Sequence, residues 1–229
     1  MDINNFDWGW MNEESELASF HKNTLIQEIF TDRIYEKIKS VEQGDVVLDI
    51  GASIGPFTYS ILDKNPSKVI CVEPSSIELP TLEKNVKRSN VEIIPKGIGD
   101  ENGFIHTKEV FGANNQSIEI PTITFSSLIE DNNLDKINFL KTDCEGGEYS
   151  IFNLDNLFWI KNNVDFIVGE FHLSDELHKQ KFRNFRDTYL KLFPNHHVYS
   201  LDGVNIKWDL WNEHFIEYYN QVIIHINNQ

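Results

Sequence analysis

Residues 46–55 read Val46-Val47-Leu48-Asp49-Ile50-Gly51-Ala52-Ser53-Ile54-Gly55, an apolar run that leads straight into a turn with two spaced glycines. An apolar run that does not alternate with polar residues is typical of a strand covered on both faces, as in a parallel sheet between helices. Gly51 and Gly55 permit a tight turn and a close approach of the backbone to a ligand. Their Gly-x-x-x-Gly spacing differs from the Gly-x-Gly-x-x-Gly pattern of dinucleotide-binding folds, so the sequence disfavours a nicotinamide-dependent oxidoreductase.

The same pattern recurs along the chain, with short apolar runs separated by stretches of helical spacing. The further predicted strands are Val69–Val72, Val91–Ile94, Ile137–Leu140, Phe166–Val168 and Tyr218–Ile226, and the predicted helices are Phe57–Leu62, Ile77–Ser89, Glu148–Leu154 and a helix from a Ser174 cap to about Phe193. This alternation predicts an α/β fold with a doubly wound, mainly parallel sheet and helices on both faces. Such a sheet binds its ligand at the carboxyl ends of the strands.

The chain is predicted to form one domain, because it contains no internal repeat, low-complexity tract or Gly/Ser/Pro linker. Its predicted parts are an N-terminal arm and helix in residues 1–40 and an α/β core in residues 45–229. Glu13–Ser40 carries apolar residues at helical spacing, whereas Phe6, Trp8 and Trp10 show no clear period. The first dozen residues are therefore expected to form a loose arm or a lid.

Composition excludes several classes of protein. Of the 229 residues, 40% are hydrophobic and 12% aromatic, which argues against disorder. The net charge of −16 makes nucleic acid a poor partner, because phosphate binding needs a basic surface. No apolar run is long enough to span a membrane, the start does not resemble a signal peptide, and two cysteines cannot form a disulfide framework, so a cytoplasmic location is expected.

Acidic residues mark the ends of the first two strands. Asp49 disfavours a pyrophosphate near the turn and favours a cationic group such as an ammonium or a sulfonium. Glu73-Pro74 ends the second strand, where a carboxylate can accept hydrogen bonds from both hydroxyls of a ribose. The third strand is followed by Lys96–Asp100, a glycine-rich loop in which Ile98 could cover a flat base. Each feature alone also fits an ordinary turn or a solvated strand end, and their combination favours a nucleoside site.

Titratable side chains are concentrated at the ends of the fourth and fifth strands. The fourth ends in Lys141-Thr142-Asp143-Cys144-Glu145-Gly146-Gly147-Glu148, and the fifth ends in Gly169-Glu170-Phe171-His172. Charged groups at the mouth of a buried strand are costly unless they pair with each other or with a ligand. Because two adjacent strand ends carry the cluster, a functional site is favoured over a purely structural ion-pair network.

These motifs resemble those of a known family. Asp49–Gly55, Glu73-Pro74 and the acid after the fourth strand look like the motifs of class I S-adenosylmethionine-dependent methyltransferases, and Lys141–Glu148 resembles the Lys-x-Asp-x-Glu-Gly-x-Glu signature of the FkbM family. The resemblance covers about Val46 to His172. It implies a Rossmann-like, seven-stranded sheet whose last strand is antiparallel. It also implies O-methylation, since members of this family mostly methylate hydroxyls, often on sugars.

The resemblance assigns site residues by position. The cofactor-binding residues that it implies, from the methionine and sulfonium through the ribose to the adenine, are Asp49, Gly51, Ala52, Ser53, Gly55, Glu73, Pro74, Gly97, Ile98 and Asp143. Methylation of a sugar hydroxyl also needs a base, and the candidates are Asp143 and His172, with Lys141, Glu145 and Glu170 orienting them or the sugar. A divalent cation such as Mg²⁺ or Mn²⁺ held by these oxygens is left open, because it would lower the pKa of the hydroxyl.

The chain departs from the family pattern at two positions. Ser53 stands where the family usually has Asn, and Ser126 stands near a position that is usually acidic. The first change is expected to trim a contact to the methionine part of the cofactor, and the second removes a carboxylate near the site. Two other functions stay open: methylation of a small natural product, and a non-catalytic module that binds the cofactor.

Overall fold

The computed structural model describes residues 2–108 and 117–229. Its strands are β1 (Val46–Ile50), β2 (Lys68–Val72), β3 (Val91–Ile94), β4 (Gly97–Ile98), β5 (Gly103–Lys108), β6 (Ser117–Ile123), β7 (Ile137–Thr142), β8 (Val164–His172), β9 (His196–Tyr199) and β10 (Gln221–Asn227). The main sheet has seven strands in the order β3-β2-β1-β7-β8-β10-β9, and a smaller sheet has the order β4-β6-β5.

The main sheet is parallel except at β10. Strand β1 pairs in parallel with β2 and with β7, and β7 pairs in parallel with β8. Strand β10 runs antiparallel to both β8 and β9. On β1, Val47, Leu48 and Ile50 are all buried, although their side chains alternate between the two faces. The predicted fold, a mainly parallel sheet covered on both faces and ending in an antiparallel strand, is therefore confirmed.

Helices cover the sheet and connect its strands. They are α1 (Glu16–Leu25), α2 (Pro56–Ile61), α3 (Leu79–Asn85), α4 (Phe125–Asp131), α5 (Glu148–Ile151), α6 (Leu154–Asn163), α7 (Glu176–Asn184) and α8 (Glu213–Tyr218). Helix α1 continues into a π-helical segment, Ile26–Thr31, and α7 continues into a second one, Phe185–Tyr189. Such segments occur mostly inside or beside α-helices and often near functional sites.

The first helix is shorter than the predicted Glu13–Ser40. It begins at Glu16 because the side chain of Ser15 caps it, accepting a hydrogen bond from the backbone N–H of Ala18. Its π-helical continuation ends at Thr31, and Arg33 then adopts a left-handed conformation with φ of +51°. This break turns the chain, and the next short helical turn, Ile34–Glu36, enters the core.

The N-terminal segment packs against the turn after β1, which is not the arrangement of a loose arm. Phe6, Trp8 and Met11 are buried in one cluster with Ile54 and Tyr59. The segment is also tied by hydrogen bonds: the backbone N–H of Asp7 donates to Asn85 Oδ1 at 2.9 Å, and the Asn85 amide donates to the carbonyls of Asp7 and Ile54, both at 2.8 Å. These residues therefore cover the glycine turn.

Some boundaries in the C-terminal half, and one loop before it, differ from the predictions. Asp175, not Ser174, caps α7 by accepting from the backbone N–H of His178, because its carboxylate reaches the first turn. The last strand begins at Gln221, since Tyr218 still belongs to α8. In addition, Gly97–Ile98 forms a short strand beside β6 where a loop was predicted.

Both cysteines, Cys71 and Cys144, are free thiols, in line with the absence of a disulfide framework. Burial raises the pKa of each thiol, which reduces its reactivity. Among the helices of residues 2–108 and 117–229, none is long and apolar enough to cross a membrane.

Candidate active site

The glycine turn after β1 lies directly against the end of β7. Gly51 has φ of +75°, and a Cβ on this residue would overlap the carbonyl group of Asp143. The backbone N–H of Asp143 donates to the carbonyl of Ile50 at 3.0 Å, and the N–H of Gly51 donates to the carbonyl of Val72 at 2.9 Å. Only glycine fits this close approach, so the turn and the fourth strand end are fixed relative to each other.

Ser53, which the resemblance also assigns to the cofactor, adopts a left-handed conformation and contacts the acid after β2. Its φ is +50°, a region in which Asn is several-fold enriched among non-glycine residues. The backbone N–H of Ser53 donates to Glu73 Oε2 at 2.8 Å, and the N–H of Ser75 donates to Glu73 Oε1 at 2.7 Å. Burial raises the pKa of Glu73. Each carboxylate oxygen keeps a further lone pair, so Glu73 is held in place and can still accept bonds from a diol.

Glu78 is a buried acid beside this turn that sequence reasoning did not single out. The hydroxyl of Ser53 donates to Glu78 Oε1 at 3.2 Å. Burial and then the charge of Glu73 raise the pKa of Glu78 to about 7, against the lowering effect of hydrogen bonds from Ser53 and Trp10. The N-terminal segment thus reaches the predicted cofactor turn through a polar contact as well as through its apolar cluster.

Asp49 and Lys141 form a buried pair beneath the turn. Lys141 Nζ lies 3.2 Å from Asp49 Oδ1, and Thr58 donates its hydroxyl to Asp49 Oδ2 at 2.7 Å. Lys141 also donates to the carbonyl of Gly51 at 2.6 Å. The Asp49 side chain is fully buried, and these contacts support the turn from below. A direct contact of either side chain with cofactor or sugar stays a prediction.

The remaining candidates converge around the imidazole of His172. Its Nε2 lies 3.4 Å from Glu145 Oε2, 3.9 Å from Glu170 Oε1 and 4.0 Å from Asp143 Oδ1, and its Nδ1 lies 3.2 Å from Glu148 Oε1. The structure therefore brings the predicted residues from both adjacent strand ends into one cluster. Ligand atoms of Asp143, Glu170 and His172 all lie within 4.8 Å of one another, which is close enough to hold one cation.

The charge state of His172 follows from its neighbours. Burial acts to lower its pKa, but the hydrogen bond and charge of Glu148, with the charges of Asp143 and Glu145, outweigh burial and raise the pKa to about 10. His172 is therefore an imidazolium at neutral pH and has no lone pair with which to accept a proton. Of the two predicted general bases, the electrostatics favour Asp143.

Glu148 organises the loop that carries this cluster. Its side chain is fully buried and accepts hydrogen bonds from the backbone N–H groups of Cys144 and Gly146, both at 2.8 Å. Within the same loop, Glu145 and Gly146 have φ of +55° and +102°. The last acid of the signature motif therefore fixes a strained loop and orients His172.

Two further residues near the cluster, Tyr35 and Glu28, come from the N-terminal part of the chain that precedes the predicted core. Tyr35, just after the π-helical segment, donates its hydroxyl to Asp143 Oδ2 at 2.9 Å, and this hydroxyl also lies 3.4 Å from Glu170 Oε2. Burial raises the pKa of Glu170, and the charge of Asp143 raises it further. Glu28 lies within the π-helical segment, where burial, together with the charges of Asp143 and Asp32, raises its pKa to about 7.

The predicted adenine-covering residues lie beside these loops. A Cβ on Gly97 would stand 3.7 Å from the ring of Pro74, so the ends of β2 and β4 are neighbours. Ile98 is buried, and its carbonyl lies near Gly147 of the signature loop. Gly97 and Ile98 therefore lie between the loop after β2 and the signature loop, and contact of these residues with an adenine stays a prediction.

Replacement of His172 by glutamine is expected to destabilise the protein in a pH-dependent manner. Because the folded-state pKa lies above the ordinary 6.5, protonation contributes fully to stability below about pH 6.5, and this contribution is lost as the pH rises through about 10. We expect His172→Gln to lower the free energy of unfolding by about 3 kcal/mol at neutral pH, as for a broken buried ion pair. Urea denaturation across this pH range measures the free energy of unfolding, and His214→Gln, which changes an exposed histidine, is the matched control. A deficit that is the same at neutral pH and near pH 10 would contradict the charge assignment.

Comparisons with known proteins identify the family of the chain. Residues 49–201, more than half of the chain, match the model of the Methyltransferase FkbM domain. The hexuronic acid methyltransferase AglP of Haloferax volcanii is 27% identical over 145 residues, which cover 59% of this chain and 59% of that protein. The AMB antimetabolite synthetase AmbE of Pseudomonas aeruginosa is 34% identical over 104 residues, which cover 41% of this chain and 5% of that protein. The chain thus spans less than two thirds of the length of these relatives.

A solved structure, Aeropyrum pernix fibrillarin with natively bound S-adenosyl-L-methionine, aligns with 12% identity and a TM-score of 0.49, covering 96% of this chain and 76% of that one. The family is shown by the domain match, which begins at the buried Asp49 and extends past His172. The chain belongs to the FkbM methyltransferase family.

Proposed function

We propose that this domain transfers a methyl group from S-adenosylmethionine to a hydroxyl of a sugar or glycan. One observation carries the proposal: Asp143, a partly exposed carboxylate, directly follows the strand end that packs against the glycine turn, and it lies within 4.0 Å of the His172 imidazolium. A methyltransferase of hydroxyls needs such a proton acceptor beside its cofactor turn. The similarity to a protein named as a hexuronic acid methyltransferase supports a sugar as the acceptor.

The residues of the turn fit the proposed cofactor. Gly51 lets the turn lie against the backbone of Asp143, and Glu73 presents a carboxylate whose orientation two backbone N–H groups fix. Glu73 would hold the ribose hydroxyls, the Gly51–Gly55 turn the methionine part, and Ile98 the adenine. When bound, the cofactor supplies an activated methyl group on a sulfonium.

Asp143 accepts the proton of the acceptor hydroxyl in this proposal. Sugar hydroxyls are weak nucleophiles at neutral pH, so removal of the proton as the new bond forms lowers the barrier. Tyr35 donates to Oδ2 of Asp143 and so orients the carboxylate, and His172 Nε2 lies 4.0 Å from Oδ1 of the same carboxylate. His172, Glu145 and Glu170 act as positioning residues.

Loss of the Glu73 carboxylate is expected to weaken cofactor binding. Replacing it by alanine removes hydrogen bonds to a charged group, so we expect the affinity for S-adenosylmethionine to fall by about 1.5–3 kcal/mol in calorimetry. Glu83→Ala, which removes an exposed acid from α3, serves as the control and is expected to bind normally. Unchanged affinity in Glu73→Ala would remove the ribose assignment.

An acceptor screen tests the proposed function. Purified protein is incubated with labelled cofactor and a panel of glycans, small natural products and RNA, and each product is examined for a mass gain of one methyl group. We expect gain on a carbohydrate and none on RNA, because the net charge of −16 opposes phosphate binding. Methylation of a small natural product and of no carbohydrate would show that the acceptor is a small natural product. Cofactor binding with no turnover on any acceptor would favour a non-catalytic module.

A divalent cation at Asp143, Glu170 and His172 is the open alternative for activating the hydroxyl, and their ligand atoms lie close enough for one ion. Such an ion would compete with the proton of His172 for the same imidazole. Activity that is lost on treatment with a chelator and restored by Mg²⁺ or Mn²⁺ would support it. Activity that survives the chelator would leave Asp143 as the proton acceptor without a metal.

A further inference from the structure

Glu78 connects three parts of the chain around the predicted cofactor turn. It is buried and directly precedes α3. Its carboxyl group accepts a hydrogen bond from the hydroxyl of Ser53 at 3.2 Å and another from the side chain of Trp10. Its backbone N–H donates to the carbonyl of Ser75 at 3.1 Å. One side chain therefore joins the N-terminal segment, the glycine turn after β1 and the loop after β2.

The segment that carries Trp10 is held against α3 by contacts of its own. A Cβ on Gly9 would stand 2.7 Å from Thr81 Oγ1, so the backbone of Gly9 lies directly on the helix. Asp7 pairs with Lys84 Nζ at 2.6 Å, further along the same helix. The Trp10 side chain thus extends from a backbone whose position does not depend on Glu78.

The charges around Glu78 determine when it is ionised. The turn Gly51–Gly55 carries no titratable side chain, and the loop after β2 contributes Glu73. Burial and the charge of Glu73 raise the pKa of Glu78 to about 7. Two further pairs of charged groups on the neighbouring elements neutralise each other: Asp7 with Lys84 at 2.6 Å, and Asp49 with Lys141 at 3.2 Å. Glu78 therefore changes its charge near neutral pH.

From these contacts, and resting on the S-adenosylmethionine site of the proposed function, we infer that Glu78 is a positioning residue for the cofactor, because its carboxylate holds the Ser53 hydroxyl and the Trp10 indole. Ser53 needs such a hold, since its φ of +50° is an uncommon conformation for a serine. Both partners donate, and hydrogen bonds to an ionised acceptor are stronger than bonds to a neutral one. Protonation of Glu78 therefore loosens the turn that receives the methionine part of the cofactor.

The pH dependence of cofactor affinity tests this inference. Calorimetry is carried out at pH 6 and pH 8 and at one ionic strength. We expect the parent protein to bind S-adenosylmethionine about threefold or more tightly at pH 8, because the ionised form of Glu78 is favoured in the complex. Glu78→Gln keeps the size of the side chain and stays neutral. It is expected to bind at both pH values with the affinity that the parent has at pH 6.

The matched control is Glu83→Gln, which makes the same change at an exposed position of α3 and is expected to keep the pH dependence of the parent. A pH dependence that survives in Glu78→Gln, or that the parent lacks, would overturn the inference and leave the cofactor site standing. A parent protein that binds no S-adenosylmethionine at either pH would overturn the cofactor site of the proposed function as well.

Removal of the indole donor gives a second readout. Trp10→Phe keeps an aromatic ring in the N-terminal segment and removes the N–H group, so the affinity at pH 8 is expected to fall about threefold or more. The difference between pH 6 and pH 8 is expected to narrow, because one of the two bonds that favour the ionised form is lost. Trp208→Phe changes an indole that is 80% exposed and is expected to bind as the parent does. Parent-like binding by Trp10→Phe would overturn the role of the indole.

The demethylated product, S-adenosylhomocysteine, separates positioning of the turn from a direct charge effect. It keeps the chain of the methionine part and lacks the charge of the sulfonium. We expect its affinity for the parent protein to show the same pH dependence, because the bonds of Glu78 hold the turn for either molecule. A pH dependence that is confined to S-adenosylmethionine would show that Glu78 acts on the sulfonium by its charge, and would overturn the positioning role.

Discussion

Replacement of Asp143 by asparagine is expected to lower kcat by about 10²–10⁴-fold, because a general base acts in the transition state of the reaction. The affinity for S-adenosylmethionine is expected to stay within about threefold of the parent, because the base does not contribute to cofactor binding. Asparagine keeps the shape and can still accept from Tyr35, but it cannot take a proton at neutral pH. Steady-state kinetics and calorimetry on the same preparations measure the two quantities separately.

The matched control is Asp165→Asn. Asp165 lies near the amino end of β8, at the other end of this strand from His172, and it pairs with Lys136 at 2.8 Å. Its replacement is expected to leave kcat unchanged. A parent-like kcat in Asp143→Asn would refute the assignment of Asp143 as the base, whereas an equal loss in both variants would point to a general loss of structure.

Replacement of Gly51 by alanine is expected to have the largest effect on stability. A Cβ at this position would overlap the Asp143 carbonyl group, so either the glycine turn or the end of β7 must move. Gly44→Ala isolates the conformational part of the cost, because Gly44 has φ of +89° and nothing lies within 4 Å of its added Cβ. We expect a loss of about 1–2 kcal/mol for Gly44→Ala.

For Gly51→Ala we expect the same conformational cost plus about 2 kcal/mol or more of overlap, together with loss of cofactor binding. Urea denaturation gives the first quantity and calorimetry the second. If the two alanine variants lose equal stability and Gly51→Ala still binds the cofactor, the close approach between turn and strand end is not essential to the site.

The sheet was largely predictable because its strands are continuous apolar runs. The strands Val46–Ile50 and Val91–Ile94 begin and end where the sequence predicts, and the second strand begins one residue earlier, at Lys68. A strand that is buried on both faces is distinctive in sequence, because its apolar residues are continuous. Once the strands are identified, the glycine turn and the acids can be located, because they directly follow the strand ends. The residues of the FkbM signature could be assigned for the same reason.

The other half of the site could not be predicted from local pattern. Tyr35 and Glu28 precede the predicted core and belong to a stretch with helical periodicity, where an isolated acid or tyrosine is usually a solvated residue. Only the left-handed break at Arg33 turns this segment so that the Tyr35 hydroxyl reaches Asp143, 108 residues away in sequence. The charge of His172 likewise depends on carboxylates that come together only in the fold.

The central claim is that the methyl group reaches an oxygen of a sugar. Its most direct measurement uses S-adenosylmethionine labelled with ¹³C in the methyl group, an acceptor from the glycan screen, and NMR of the isolated product. The account predicts a labelled methyl resonance in the methoxy region, correlated through the oxygen to a sugar ring carbon, and its loss in Asp143→Asn. A labelled methyl on nitrogen or carbon, or no labelled carbohydrate product in a protein that binds the cofactor, would contradict it.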